Sequence, residues 1–247
     1  MSATKGEHKH NFEGAIFGGL PSLVVAAHEL KAPLALVRQL SLTLEDGDIS
    51  VDEQKHMLRQ ISLTSERALR LTSDLTRSVR LPEALFTLEP INPQQLCEDI
   101  IRDLTPLFSA HDRQVKLTSR RRSLLLVGNR DLLRRIIMNF SDNALNYAEG
   151  DARVEIKIDT RNSGQVIRLG VRDYGPAVSK DIFKSLRSKL LVSSTTTIHA
   201  RPQSSGLGLY IVGQFATAMN GNIGVTRHRD GATFYVDLLA SNQLSLL

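Results

Sequence analysis

The sequence is poor in the residues that build several common kinds of structure and site. It has one cysteine, Cys97, so no internal disulfide can form, which fits a reducing cytoplasm. It has no tryptophan and 5% aromatic residues. No aromatic residues accompany the basic cluster Arg120 to Arg122, so we expect no nucleic-acid partner. No apolar run reaches the length of a transmembrane helix, and we expect a soluble, cytoplasmic chain without a membrane segment.

What the sequence does contain is typical of an ordinary globular protein. Hydrophobic residues make up 41% and charged residues 23% of the 247 positions, and the net charge is +5. This length suggests one or two domains with a real core. The apolar stretch 14–27 follows a few basic residues and has to be weighed as a signal peptide. We favour a helix because Glu13 interrupts the stretch and its apolar pattern continues into Leu30 and Leu34.

The first third of the chain predicts a helical hairpin. Ser50 followed by Glu53 is a capping box that opens the second helix. Since one hairpin buries only one face of each helix, we expect two chains to form a four-helix bundle as a homodimer. Apolar or small residues recur in steps of three and four along both helices: Leu20, Leu23, Ala27, Leu30, Leu34, Val37, Ser41 and Leu44 in the first, and Leu58, Ile61, Ser65, Ala68, Thr72, Leu75 and Val79 in the second.

After Pro82 the pattern changes from heptads to alternating helices and strands, with residues 83–93 as the linker. Helices and paired strands in this order predict an α+β fold, a two-layer sandwich with helices on one face of a sheet. The spacing of apolar residues places helices over 93–110, 129–147 and 207–219, and strands over 114–118, 123–127, 154–159, 165–171, 224–227 and 233–238.

Three motifs in this second unit point to nucleotide chemistry. Asn139 and Asn143 lie four residues apart, so both amides project from one helix face. Asp173 follows a strand and can accept a hydrogen bond from an exocyclic amine, and Gly175 lets the backbone approach a flat ring. Glycines around Leu207 precede a helix whose free N–H groups favour phosphate. Each motif alone also fits surface residues, a turn or close packing, but their combination and order favour a nucleotide site.

At this point nearly the whole chain resembles the two-component sensor histidine kinases. His28, Glu29 and Pro33 match that family's phosphoacceptor motif. The resemblance implies a dimerising phosphoacceptor hairpin at residues 12–81, which forms the four-helix bundle, and a catalytic domain at 86–240. That domain would be an ATP-binding two-layer sandwich of the type shared with gyrase and Hsp90. The remaining matches are the asparagine box from Asn139 to Ala144 with Tyr147, the first glycine box at Asp173 and Gly175, the second at Gly206 to Leu209, and the start of a phenylalanine box at Ile182 and Phe183.

The resemblance also implies a reaction. His28 would attack the γ-phosphorus of ATP, Glu29 would accept the other ring proton, and the phosphoryl group would pass to an aspartate of a response regulator. Asn143, assisted by Asn139, would ligate Mg²⁺. Asp173 would receive the adenine amine, with residues 185–205 as a lid over ATP. The implied nucleotide-binding residues are Asn139, Asn143, Tyr147, Asp173, Gly175, Gly206, Leu207 and Gly208.

Some positions depart from the family pattern and leave a second interpretation open. Ala177 and Ser204 stand in place of two glycines, and Asn146 stands where a basic residue is common. These departures support a nucleotide-sensing pseudokinase scaffold that binds a regulator without phosphorylating it. A phosphotransfer protein without ATP binding is disfavoured because both asparagines remain. If the chain is a fragment, it is the soluble part of a membrane sensor.

Overall fold

The computed structural model describes residues 20–47, 49–80, 86–119, 124–147, 153–175, 180, 183–184 and 207–241. Its first two helices, α1 (Leu20–Glu45) and α2 (Val51–Arg80), pack on each other as a hairpin. The predicted capping box is present: Ser50 N donates to Glu53 Oε2 at 3.0 Å, and Glu53 N donates to Ser50 Oγ at 3.3 Å. Hydrogen bonds from Ser50 lower the pKa of Glu53. Among these described residues, no helix has both the length and the apolar character to cross a membrane.

The rest of the described chain is a mixed unit of helices and strands, close to the predicted order. One expectation was wrong, because the linker expected at 83–93 contains a short strand that pairs antiparallel with residues 126–128. Three residues that include Pro90 are too few to show an alternating pattern. The elements are β1 (Glu89–Ile91), α3 (Pro93–Ser109), β2 (Val115–Ser119), β3 (Leu126–Gly128), α4 (Arg130–Tyr147), β4 (Val154–Arg161), β5 (Val166–Arg172), α5 (Leu207–Ala218), β6 (Asn222–His228) and β7 (Gly231–Leu239).

A five-stranded sheet forms the framework of this unit, with strand order β2-β4-β5-β7-β6. The pair β2 and β4 is parallel, and the other neighbours are antiparallel. Helices α3, α4 and α5 share a buried core with one face of the sheet, and Phe140 of α4 lies 6.0 Å from Phe234 of β7 between ring centroids. Arg168 and Tyr235 lie on the opposite face. The expected mixed α+β fold is thereby confirmed.

The hairpin docks on this unit through helix α2. Leu71 and Leu75 pack against the core of the unit, and three ion pairs join α2 to α4. Their order along the two helices is antiparallel and their charges alternate, so one register satisfies all of them. We call this set the docking ladder: Arg70 with Asp142 at 3.5 Å, Asp74 with Arg135, and Arg77 with Asp131 at 3.5 Å.

We predict that the middle pair of the docking ladder can be reversed in sign. Asp74 and Arg135 are only 13% and 27% exposed, and burial raises the pKa of Asp74. Asp74→Arg or Arg135→Asp alone leaves two like charges in contact, which should cost about 3 kcal/mol of unfolding free energy. The double variant should recover more than half of that loss in urea unfolding.

The matched control is Lys55→Glu, which breaks the exposed pair with Asp52 on the same helix and should cost less than about 1 kcal/mol. If the double variant loses as much unfolding free energy as the two single variants together, Asp74 and Arg135 are not in direct contact.

Candidate functional site

The two asparagines predicted on one helix face form a polar patch on α4. Asn143 Nδ2 donates to Asn139 Oδ1 at 3.4 Å, and both side chains are half-buried. Their neighbours Phe140 and Ala144 point into the core and fix the rotation of the helix. Since the nitrogen of the Asn143 amide faces Asn139, its carbonyl oxygen is directed elsewhere and can serve as a ligand for a hard cation.

The start of α5 lies against this patch. A Cβ built on Gly208 would lie 2.8 Å from Asn139 Nδ2 and 3.0 Å from Asn139 Oδ1, closer than real side chains approach. The α5 helix has 12 residues and begins at Leu207, so its N-terminal turn meets the asparagine face. Unpaired N–H groups and the helix dipole favour an anion there. The fold therefore brings together Asn139 and Gly208, which are 69 residues apart in sequence.

We predict that Gly208→Ala disrupts this junction. The added methyl group has to displace the Asn139 amide or the start of α5, a strain of about 1–3 kcal/mol, which should weaken nucleotide binding by about tenfold. The matched control is Gly213→Ala in the same helix, where, among the described residues, the added carbon meets Ile223 Cδ1 at an ordinary contact distance of 3.6 Å. Calorimetric titration with ATP should find the control unchanged. Equal affinities for both variants would show that the junction does not bind nucleotide.

Asp173 lies just beyond the end of β5 and is 2% exposed. Its N–H donates to the carbonyl of Ala232 at 3.0 Å, and its Oδ1 accepts from the Ala232 N–H at 2.9 Å. Gly175 N donates to the carbonyl of Asp230 at 3.1 Å. The carboxylate is therefore held by the backbone at the start of β7, a partner that the local sequence motif did not indicate.

Other predicted site residues are only partly described. His28 and Glu29 belong to α1 and Tyr147 to α4, but their side chains, like that of Leu207, lie outside the described set. Gly206, the substituted positions Ala177 and Ser204, and the expected lid at 185–205 also lie outside it. Phe183 packs against the core.

A cation at this site would depend on amide oxygens. Among the described residues, no group of three or more His, Cys, Asp and Glu side chains could hold a metal ion. Mg²⁺ keeps several waters and takes one or two protein oxygens together with substrate phosphates. The carbonyl oxygen of Asn143, beside the N-terminal turn of α5, suits that kind of ligand set.

Burial also changes the pKa of Asp142, which lies between the two asparagines in sequence. Asp142 is followed directly by Asn143, and Arg70 of α2 contacts its carboxylate. Burial raises the pKa of Asp142, against the lowering effect of Arg70 and Arg67. The candidate site and the docked hairpin thus share one short segment of α4.

Comparison with known proteins finds a matching family model and similar sequences. Residues 128–242 match the family model described as histidine kinase-, DNA gyrase B-, and HSP90-like ATPase. The sensor protein kinase PmrB of Pseudomonas aeruginosa is 30% identical over 211 residues, which are 83% of this chain and 42% of PmrB. The chain thus spans less than half the length of that relative.

Two solved structures share the fold at low sequence identity. Full-length ShkA in complex with AMPPNP has a TM-score of 0.59 at 21% identity, covering 91% of this chain and 47% of that one. The histidine kinase ThkA in complex with the response regulator protein TrrA has a TM-score of 0.61 at 15% identity, covering 95% of this chain and 65% of that one.

Proposed function

Because this chain is a homologue of the sensor histidine kinases, we propose that it is an ATP-dependent protein-histidine kinase that phosphorylates itself on His28. The observation that carries the proposal is the junction of Asn139, Asn143 and the N-terminal turn of α5. Side-chain amides and the N-terminal end of a helix meet there, which suits a magnesium–triphosphate group. Asp173 at the end of β5 supplies the acceptor for the adenine amine.

In the proposed reaction, His28 acts as the nucleophile in its neutral form. One ring nitrogen forms a bond to the γ-phosphorus while the bond from that phosphorus to the bridging oxygen breaks, and ADP leaves. The other ring nitrogen loses its proton to Glu29. Mg²⁺ bound by Asn143, with Asn139 assisting, would neutralise phosphate charge. Tyr147, Gly175, Gly206, Leu207 and Gly208 complete the proposed nucleotide-binding set.

The position of the docking ladder supports this assignment. His28 lies 18 residues before Asp46 at the hairpin turn, and Arg70 lies 20 residues after Ser50. At about 1.5 Å per residue both are roughly 30 Å from the turn. Asn143 follows Asp142, the partner of Arg70, and so lies at about the level of His28 along the hairpin, which supports the proposal.

The exposed apolar side chains of the hairpin support the proposed homodimer. Leu34 and Leu58, both on the predicted seam, are 60% and 53% exposed. A second hairpin packed on this face would bury them in a four-helix bundle. We retain residues 12–81 as the dimerisation and phosphoacceptor unit and 86–240 as the catalytic unit.

The proposed partner is the receiver domain of a response regulator, whose aspartate would take the phosphoryl group from His28. We propose that this transfer takes place in the cytoplasm. The runner-up, a pseudokinase scaffold, rests on Asn146, Ala177 and Ser204. It is not favoured by the comparisons, and it makes a different prediction, namely ATP binding without phosphorylation.

The test is incubation of the protein with γ-labelled ATP and Mg²⁺, followed by treatment with acid and with base. Label that is lost in acid and retained in base is expected, because a phosphorus–nitrogen bond behaves in this way. Measurable ATP binding with no label would favour the pseudokinase scaffold instead.

A further inference from the structure

The turn that holds Asp173 is built by residues with no role in the function proposed above. We propose that Arg172, together with the segment Asp230–Gly231–Ala232, is a positioning unit for Asp173 and sets the preference for a purine that carries an amino group. This segment, called the turn below, joins β6 to β7 and includes the first two residues of β7. The inference rests on the proposed adenine contact of Asp173. It concerns which nucleotide is chosen rather than how the phosphoryl group is transferred.

The backbone of the turn is tied to the segment after β5 on both of its sides. Asp173 and Ala232 exchange two hydrogen bonds, one of which uses Asp173 Oδ1. The N–H of Gly175 donates to the carbonyl of Asp230. Fixing one carboxylate oxygen and the backbone on either side of it sets the plane of the carboxylate, and with it the direction from which a base can donate a hydrogen bond.

Gly231 is required for this approach. Its φ is +130°, a conformation that other residues rarely adopt, and a Cβ there would lie 2.5 Å from Asp173 Oδ1. A side chain at this position would push the turn away from the carboxylate.

The Arg172 side chain holds the same turn. It is 5% exposed, and Nη2 lies 2.5 Å from Asp230 Oδ1. Nη1 donates to the carbonyl of Asp173 and, at 3.4 Å, to that of Ala232. The guanidinium stacks 4.3 Å from the centre of the Tyr174 ring. One cation thus binds both the acidic residue of the turn and the main chain of Asp173.

These contacts predict what removal of the Arg172 side chain should do. Without the guanidinium, Asp230 and the two carbonyls lose their shared partner, and the turn can move relative to β5. The Asp173 carboxylate would then lose its fixed orientation while the asparagine patch and the start of α5 stay in place. Recognition of the 6-amino group should fail selectively, and phosphate binding should persist.

The experiment compares ATP with inosine triphosphate, which has a 6-oxo group in place of the amine. Arg172→Met should weaken ATP binding by about tenfold and leave inosine triphosphate within about twofold, so that the preference collapses. The matched control is Arg168→Met, four residues earlier in β5, which removes a bidentate pair with Asp237 at 2.7 Å and a contact with Tyr235. It should leave the preference intact.

Asp230→Ala provides a second variant, because Asp230 is 66% exposed and its loss should leave folding intact; it should reduce the preference in the same direction. Equal weakening of both nucleotides in Arg172→Met, or an unchanged ratio in both variants, would overturn the positioning role. A parent protein that binds neither nucleotide would instead contradict the proposed kinase function.

Discussion

A His28→Gln variant should carry no acid-labile phosphate after incubation with ATP and Mg²⁺, whereas the parent protein should be labelled. Glutamine has a similar size and polarity but no ring nitrogen with a free electron pair that could attack phosphorus. Because His28 lies on the hairpin and not in the nucleotide site, ATP affinity should stay within about twofold of the parent. The expected loss of label is complete.

The control is His56→Gln, an exposed histidine of α2 in the same hairpin, which should be labelled like the parent. Acid-labile label on the His28→Gln variant would place the phosphoacceptor elsewhere and remove the central assignment. Loss of both ATP binding and label would show that the substitution acts on the fold.

Asn143→Ala should abolish magnesium-dependent ATP binding at ordinary concentrations. The substitution removes the amide oxygen proposed for Mg²⁺ and the hydrogen bond to Asn139 Oδ1, while alanine remains a good helix former. Contacts to charged groups of this kind contribute about 1.5–3 kcal/mol each, so we expect affinity to fall on the order of 100-fold. Titration with and without Mg²⁺ separates the cation contribution from the rest.

The matched control is Asn222→Ala, an exposed asparagine at the start of β6, which should bind ATP like the parent. Asn143→Asp retains an oxygen ligand and should bind Mg²⁺–ATP better than Asn143→Ala. If Asn143→Ala binds ATP normally in the presence of Mg²⁺, the asparagine patch does not hold the cation.

The accuracy of the sequence predictions followed the length and periodicity of each segment. Leu132, Ile136 and Phe140 repeat at helical spacing over 18 residues, and the helix was found within one residue of its predicted start. Strand β4 ends two residues later than predicted and β5 is shifted by one residue, because side-chain alternation fades at strand ends and hydrogen bonding alone defines the strand there. Strand β1 was missed because its pairing with β3 depends on a partner about 37 residues away.

The residues of the candidate site also divide into those that a local sequence pattern identifies and those that only the folded structure identifies. Asn139 and Asn143 were identified because a spacing of four on a helix is a local property. Arg172 and Gly231 were not, because their importance depends on the register that places Arg172 opposite Thr233 and the turn next to Asp173. The strands on either side of the turn were predicted, at 224–227 and 233–238, but no local signal indicated what the turn contacts.

The sequence by itself determined the hairpin and the mixed α+β unit, and it indicated the motifs proposed to bind nucleotide, because propensity, capping and apolar spacing act over a few residues. Only the tertiary structure decided that α5 begins against Asn139 and that α2 docks on α4 through alternating charges. It also decided that the backbone at the start of β7 holds the Asp173 carboxylate. These contacts join segments 54 to 72 residues apart, and their geometry follows from packing the helices on the twisted sheet as a whole.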